Sequence, residues 1–246
     1  QTLAEKLTLN AGLRYQNHSV YGGEWIPSGG FAWQLEENTT WKGNISKGFR
    51  SPTIRELFLW GPQNANLEPE SVISYETGLS KTFFNQSMNA ELTFFAVSGD
   101  NQIIMVPVNG AMKFMNSGEI SNKGIEFSLA AEPANNLLLN ATYSFVDMEN
   151  PVYATPEHHL FLSARYQWNK FELSANVRQV TDLDNDPSPA VNLESYTVLN
   201  AKAAYNVLEN LKLYVNAENL LDENYQVNRY YTMPGTTLFA GISYSF

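Results

Sequence analysis

The sequence predicts an all-β fold: an antiparallel transmembrane β-barrel of the bacterial outer-membrane kind, with about twelve strands present. Three observations predict it: alternating two-faced segments along the chain, connections that alternate between short and long, and a closing strand that ends on an aromatic residue. In the last eleven residues, Leu238, Ala240, Ile242, Tyr244 and Phe246 share one phase, and Thr237, Gly241, Ser243 and Ser245 the other, with Phe239 the exception. Alternation of this length is the period of a strand with two unlike faces. An apolar face against lipid and a polar face against a wet interior is what a barrel wall needs.

The same pattern justifies the other elements in order. In the first strand Leu7, Leu9, Ala11, Leu13 and Tyr15 oppose Lys6, Thr8, Asn10, Gly12 and Arg14. Further on, Ala90, Leu92, Phe94 and Ala96 oppose Asn89, Glu91 and Thr93, and Ile125, Phe127, Leu129 and Ala131 oppose Glu126 and Ser128. Leu137, Leu139, Ala141, Tyr143 and Phe145 oppose Asn140, Thr142 and Ser144. Leu160, Leu162, Ala164 and Tyr166 oppose His159, Ser163, Arg165 and Gln167. Phe171, Leu173, Ala175 and Val177 oppose Glu172, Ser174, Asn176 and Arg178, and Leu211, Leu213, Val215 and Ala217 oppose Lys212, Asn216 and Glu218. The strands fall near 3–15, 29–35, 40–48, 72–84, 88–100, 116–131, 137–148, 156–167, 170–181, 195–206, 210–220 and 236–246. A soluble sandwich also alternates, so the faces alone do not decide between the two.

The connections separate them. Those near 36–39, 85–87, 132–136, 168–169 and 207–209 are short. Those near 16–28, 49–71, 101–115, 149–155, 182–194 and 221–235 are mostly long. Short turns on one rim and long loops on the other are the pattern of an outer-membrane barrel, with the short turns periplasmic. Counting back from Phe246 places both ends of the chain on the periplasmic side and six loops outward. Tyr15, Trp41, Tyr143, Tyr166, Trp168, Tyr205 and Tyr244 lie near strand ends, where aromatic girdles meet the two interfaces. Ordinary packing at sheet ends accounts for some of them as well.

Composition narrows the function. The 246 residues carry a net charge of −10, which argues against a nucleic-acid partner. There is no cysteine, so thiol chemistry and thiolate metal ligands are excluded. No run approaches the ~18 apolar residues of a membrane helix. No nucleophile elbow or phosphate-binding loop is present, so the chain reads as no enzyme and calls for no cofactor.

Four segments then carry a resemblance. Gly48-Phe49-Arg50-Ser51-Pro52-Thr53-Ile54-Arg55-Glu56-Leu57 is the first, and Asn66-Leu67-Glu68-Pro69-Glu70, followed by Tyr75-Glu76-Thr77-Gly78, the second. Asn116-Ser117-Gly118 with Lys123-Gly124-Ile125-Glu126 is the third. The fourth runs from Ala217 through Asn219-Leu220-Leu221-Asp222 to Tyr225, with Pro234-Gly235 entering the final strand. In this order they resemble the TonB-dependent outer-membrane receptors, over the carboxy-terminal half of their barrel; Thr236 stands where that family has arginine. Physically, the residues before Pro52 and Pro69 are held extended, Gly124 permits a close backbone approach, and Asn219 to Tyr225 is a strand end with a polar turn. The motifs identify the barrel, not its ligand.

The resemblance implies a barrel of about 22 strands around a plug. Residues 1–246 are therefore expected to be the carboxy-terminal portion of the barrel, with the plug and the earlier strands absent. The open edges at 3–15 and 236–246 need the missing half or another chain as partner. A self-contained small barrel stays open as an alternative. The implied location is the bacterial outer membrane, and the implied partners are membrane lipid, TonB through the missing plug, and a scarce nutrient. The implied function is TonB-energised import, with an iron–siderophore complex as default; haem, cobalamin and saccharides are alternatives, as are a passive porin and a structural barrel.

Trp25, Phe58, Trp60, Tyr153, Tyr230 and Tyr231 fall in the outward loops and suit stacking on a flat ligand; rim packing is the plainer alternative for each. No metal site is predicted. His158 and His159 are adjacent on a strand and point to opposite faces. Met105, Met112 and Met115 read as apolar loop packing. Asp182, Asp184 and Asp186 have alternate calcium-loop spacing but lack its glycine and distal glutamate.

Overall fold

A computed structural model describes residues 2–4, 6–151, 154–184 and 193–246. The elements in chain order are β1 (Thr2–Ala4), β2 (Leu7–His18), β3 (Gly22–Glu36), β4 (Thr39–Arg50), a short helix α1 (Ile54–Phe58), β5 (Glu70–Phe83), β6 (Met88–Val108) and β7 (Ala111–Ala134). They continue as β8 (Leu137–Met148), β9 (Pro156–Trp168), β10 (Phe171–Asp184), β11 (Leu193–Leu208), β12 (Leu211–Glu218), β13 (Gln226–Asn228), β14 (Tyr231–Thr232) and β15 (Thr237–Tyr244). Thirteen of the strands form one sheet in the order β1 through β12 and then β15; β13 and β14 pair apart from it. Each pairing of described register is antiparallel. Among the described residues no pairing joins β1 to β15.

The register aligns the faces that the sequence separates. Between β2 and β3, Leu9 faces Phe31, Leu13 faces Pro27 and Tyr15 faces Trp25, while Asn10 faces Gly30 and Gln16 faces Glu24. Between β12 and β15, Leu213 faces Ile242, Val215 faces Ala240 and Ala217 faces Leu238. A slip of one residue would put the charges on the apolar side. That apolar side is not buried: Leu238 is 69% and Ile242 71% exposed. A sandwich would cover these side chains with a second sheet, so their exposure is the mark of a lipid-facing wall and decides what alternation alone left open. Aromatic pairs flank the short turns. Trp33 and Trp41 lie 6.1 Å apart beside the turn at 37–38, and Trp168 and Phe171 lie 5.9 Å apart beside the turn at 169–170.

The five short turns fall where the sequence places them, although β7 runs through Pro133 to Ala134. Three expectations need correction. The stretch 3–15 is two strands, because the chain reverses at Lys6 and Ala4 pairs with Leu7. The connections 16–28 and 101–115 are not long loops: β2 and β3 meet across residues 19–21, and β6 and β7 across Asn109 and Gly110. The reason is length. β6 has 21 residues and β7 has 24, against the about 9–11 that cross a bilayer. Strand beyond the lipid is under no demand for an apolar stripe, so its alternation fades. Asn109 (φ 51) and Gly110 (φ 83) both sit in the left-handed region, as a two-residue hairpin turn requires.

The chain divides into two contact units. One comprises Gln1–Leu79, Thr93–Gly124 and Asp147–Asn150, and holds α1 with the loop around it. The other comprises Ser80–Leu92, Ile125–Val146 and Pro151–Phe246. In this second unit a small cluster of Val180, Leu183, Tyr196 and Val198 packs against Tyr225.

Candidate functional site

In the first unit, three of the four sequence motifs converge on one loop. α1 starts with a capping box: the Glu56 N–H donates to Thr53 Oγ1 at 3.3 Å, and the Glu56 carboxylate accepts from the Thr53 N–H at 2.7 Å. The same carboxylate accepts from Arg50 at 3.0 and 3.1 Å. Arg50, the last residue of β4, also donates to both oxygens of Glu70, the first residue of β5, at 2.5 and 2.8 Å. One guanidinium fork thus joins the two strand ends to the helix. Glu70 further accepts from the Ile103 N–H of β6 at 2.6 Å. Burial alone would push the Glu56 carboxyl up, but the hydrogen bonds from Arg50 and Thr53 outweigh it and hold Glu56 below its ordinary value.

The rest of the loop is fastened to β7. The Asn64 side chain donates to the Phe114 carbonyl at 2.8 Å, and the Phe114 N–H donates to the Pro62 carbonyl at 2.7 Å. Asn116 accepts from the Glu68 N–H and donates to the carbonyls of Glu68 and Asn101, each at 2.8 Å. Leu67 is buried between these bonds. Gly118 has no room for a side chain, since a Cβ there would stand 2.8 Å from the Gln102 Cβ and 2.9 Å from the Ile104 methyl. The motif residues are anchors of a loop, in keeping with their structural reading in the sequence.

In the second unit the fourth motif builds a second loop. Asn219, 3% exposed with φ 51, donates to the carbonyls of Glu223 and Pro234 at 2.9 and 3.0 Å and accepts from the Glu223 N–H at 2.9 Å. Thr236 donates through its hydroxyl to the Asn219 carbonyl at 2.7 Å and through its N–H to Asp222 at 2.9 Å. A neutral, short side chain thus closes the loop at the position where the resembling family has arginine. Tyr225 packs on Tyr196 at 4.3 Å between ring centroids.

The predicted aromatics are placed unequally. Phe58 ends α1 at 60% exposure, and Trp60 follows at 70% with the Arg55 guanidinium 5.3 Å over its ring. Tyr230 and Tyr231 are exposed on the second loop, with Arg229 4.9 Å over Tyr230. Trp25 is not in a loop: it lies on β3, against Tyr15 at 4.7 Å, because that connection is strand. Tyr153 lies outside the described residues. The structure groups Phe58 with Trp60 and Tyr230 with Tyr231.

The methionines expected in a loop lie on strands, Met105 on β6 and Met112 and Met115 on β7. Asp184 ends β10 and Asp186 lies outside the described residues. His158 pairs across from Thr181 and His159 from Val180, on opposite faces as expected. Sequence reasoning missed α1, Arg50, Asn64, Asn116 and Asn219 as the residues that hold the loops. The spacing Thr53-Ile54-Arg55-Glu56 is a capping-box signal that would have found the helix.

Comparison with known proteins agrees with this construction. The family model described as TonB dependent receptor-like, beta-barrel, matches residues 1–220. The vitamin B12 transporter of Photobacterium profundum is 24% identical over 238 residues, covering 87% of this chain and 37% of that protein. The iron-regulated outer membrane virulence protein of Vibrio cholerae is 24% identical over 285 residues, covering 99% of this chain and 43% of that protein. A mutant ferric enterobactin receptor of Pseudomonas aeruginosa, solved with enterobactin, superposes with a TM-score of 0.82 at 20% identity, over 99% of this chain and 44% of that one. The chain therefore spans about two fifths of the length of these relatives.

Proposed function

The chain belongs to the TonB-dependent receptor family, transport proteins of the Gram-negative outer membrane, and from that premise we propose that it forms the carboxy-terminal wall and part of the outward rim of a receptor importing an iron–siderophore complex. The observation that carries the reading is the convergence of three motifs on the loop at 51–69. Arg50, Asn64 and Asn116 fix its backbone, while Phe58 and Trp60 stay exposed. A loop ordered before binding spares the ligand the cost of ordering it. Tyr230 and Tyr231 are offered in the same way on the loop that Asn219 holds. Arg55 and Arg229 set positive charge beside the exposed rings, which suits an anionic chelate with flat aromatic groups.

In this reading the ligand is moved and not altered. The plug and the remaining strands come from other parts of the receptor; β1 and β15 pair with those strands, and TonB draws on the plug from the periplasm. The test is growth on a panel of ferric siderophores as sole iron source, in a Gram-negative host lacking its own siderophore receptors and carrying the whole receptor. Growth that depends on both the receptor and TonB supports the reading. Uptake of vitamin B12 instead would replace the ligand class, and uptake without TonB would replace energised import by passive diffusion.

A further inference from the structure

β10 breaks its register with β11 at one place, while its register with β9 runs on unbroken. Val180 and Leu183 keep their partners, and Asp182 between them is extruded at φ 56, its N–H donating to Ser195 Oγ at 3.3 Å. A bulge re-aims a side chain, and a non-glycine residue in the left-handed region persists only where its surroundings hold it. Between the pairs Thr181–His158 and Leu183–Pro156, Asp182 falls across from Glu157 at the start of β9. One ligand atom each from Glu157, His158 and Asp182 lies within 4.8 Å of the others, and all three residues are half-buried.

The histidine is already oriented. Its ring stacks on Phe145 at 4.8 Å, and Nδ1 lies 2.8 Å from the Tyr143 hydroxyl. In the tautomer that donates from Nδ1 to that oxygen, Nε2 keeps its lone pair. This is the arrangement of a metal-binding imidazole whose second nitrogen is held by an outer partner. Two carboxylates and one imidazole form a mixed oxygen and nitrogen donor set that suits a divalent first-row ion such as zinc. Bonds of about 2.1 Å in a tetrahedral site put donor atoms roughly 3.4 Å apart, so the three side chains need close by only about an ångström.

We propose that Glu157, His158 and Asp182 form a binding site for a divalent first-row metal ion that clamps the start of β9 to the bulge of β10, with water completing the coordination. His159 takes no part; Glu157 and His158 are neighbours on β9 as well, but at the start of that strand their donor atoms come within 4.8 Å of each other and of Asp182 across the ladder. This site is independent of the imported ligand and of TonB.

The experiment measures zinc bound per chain by equilibrium dialysis of the whole detergent-purified receptor, at micromolar free zinc. His158→Ala and Asp182→Asn are each expected to lose one equivalent, or to bind it about tenfold more weakly or worse. His159→Ala is expected to bind as the parent does. Equal zinc in the parent and in both site variants overturns the proposal, as does no zinc in the parent or an equal loss in His159→Ala. Should His158→Ala fail to fold into detergent, the near-isosteric Asp182→Asn decides by itself.

Discussion

Asn116 and Glu68 are bonded reciprocally: the Asn116 carboxamide accepts from the Glu68 N–H and donates to the Glu68 carbonyl, both at 2.8 Å. A side-chain amide here takes the place of a neighbouring strand and pairs one residue of loop backbone. Asn116→Ala removes both bonds and the third to Asn101, while Asn116→Asp keeps only the acceptor. Each lost bond costs about 1 kcal/mol. Amide hydrogen exchange at Glu68 in the whole receptor is expected to speed up in the order wild type, Asp, Ala.

Arg50→Ala leaves two carboxylates facing each other at the base of the 51–69 loop. Hydrogen bonds to charged groups contribute about 1.5–3 kcal/mol. Solvent screening lowers the effect, since the Arg50 side chain is 44% exposed. Limited proteolysis is expected to cut the loop several-fold faster in the variant, with the barrel intact.

The Glu56 contribution has a pH sign. Its value in the folded loop lies below its ordinary one. The stabilisation is therefore complete above the ordinary carboxylate range and is lost as pH falls through the depressed value. Loop protection, measured by hydrogen exchange, is expected to be flat near neutrality and to drop in acid. Glu56→Gln is expected to flatten that drop.

Asn219→Ala removes a buried carboxamide and leaves three backbone groups of the turn without their partner. The expected loss is on the order of 2–3 kcal/mol, felt in the loop at 221–235. Proteolytic release of that loop without loss of the heat-modifiable barrel band checks it.

The two faces of the wall are expected to differ sharply. Leu213→Arg places a charge in lipid and costs about 2–4 kcal/mol near the midplane. Ser174→Glu, on the face of Asn176 and Arg178 and directly across from Lys202 and Arg165, is expected to be nearly silent. Folding titrations into lipid vesicles read both.

Strand phase was legible in the sequence because lipid on one side enforces it at every second residue, as Leu213, Val215 and Ala217 show. Strand length was not, since Gly22 to Ser28 and Asn101 to Val108 extend where nothing enforces an apolar stripe. The Asn109-Gly110 pair is a hairpin signal that would have placed a turn inside the stretch 101–115. The motifs were legible as strings and illegible as contacts. That Arg50 meets Glu70 and that Asn116 meets Glu68 follows from pairings far apart in the chain. The grouping of Asp182 with Glu157 and His158 follows from the register of β10 on β9, which the periodicity of one strand does not announce.

The anchors of the 51–69 loop stand at its ends and along its margins, at Arg50, Asn64, Leu67, Glu70 and Asn116, whereas the side chains of Phe58 and Trp60 stay exposed between them. On the proposed reading, the frame of the loop and its cargo contact are thereby uncoupled in heredity. A lineage could exchange the residues at 57–61 and acquire a different nutrient without having to reinvent the frame that displays them.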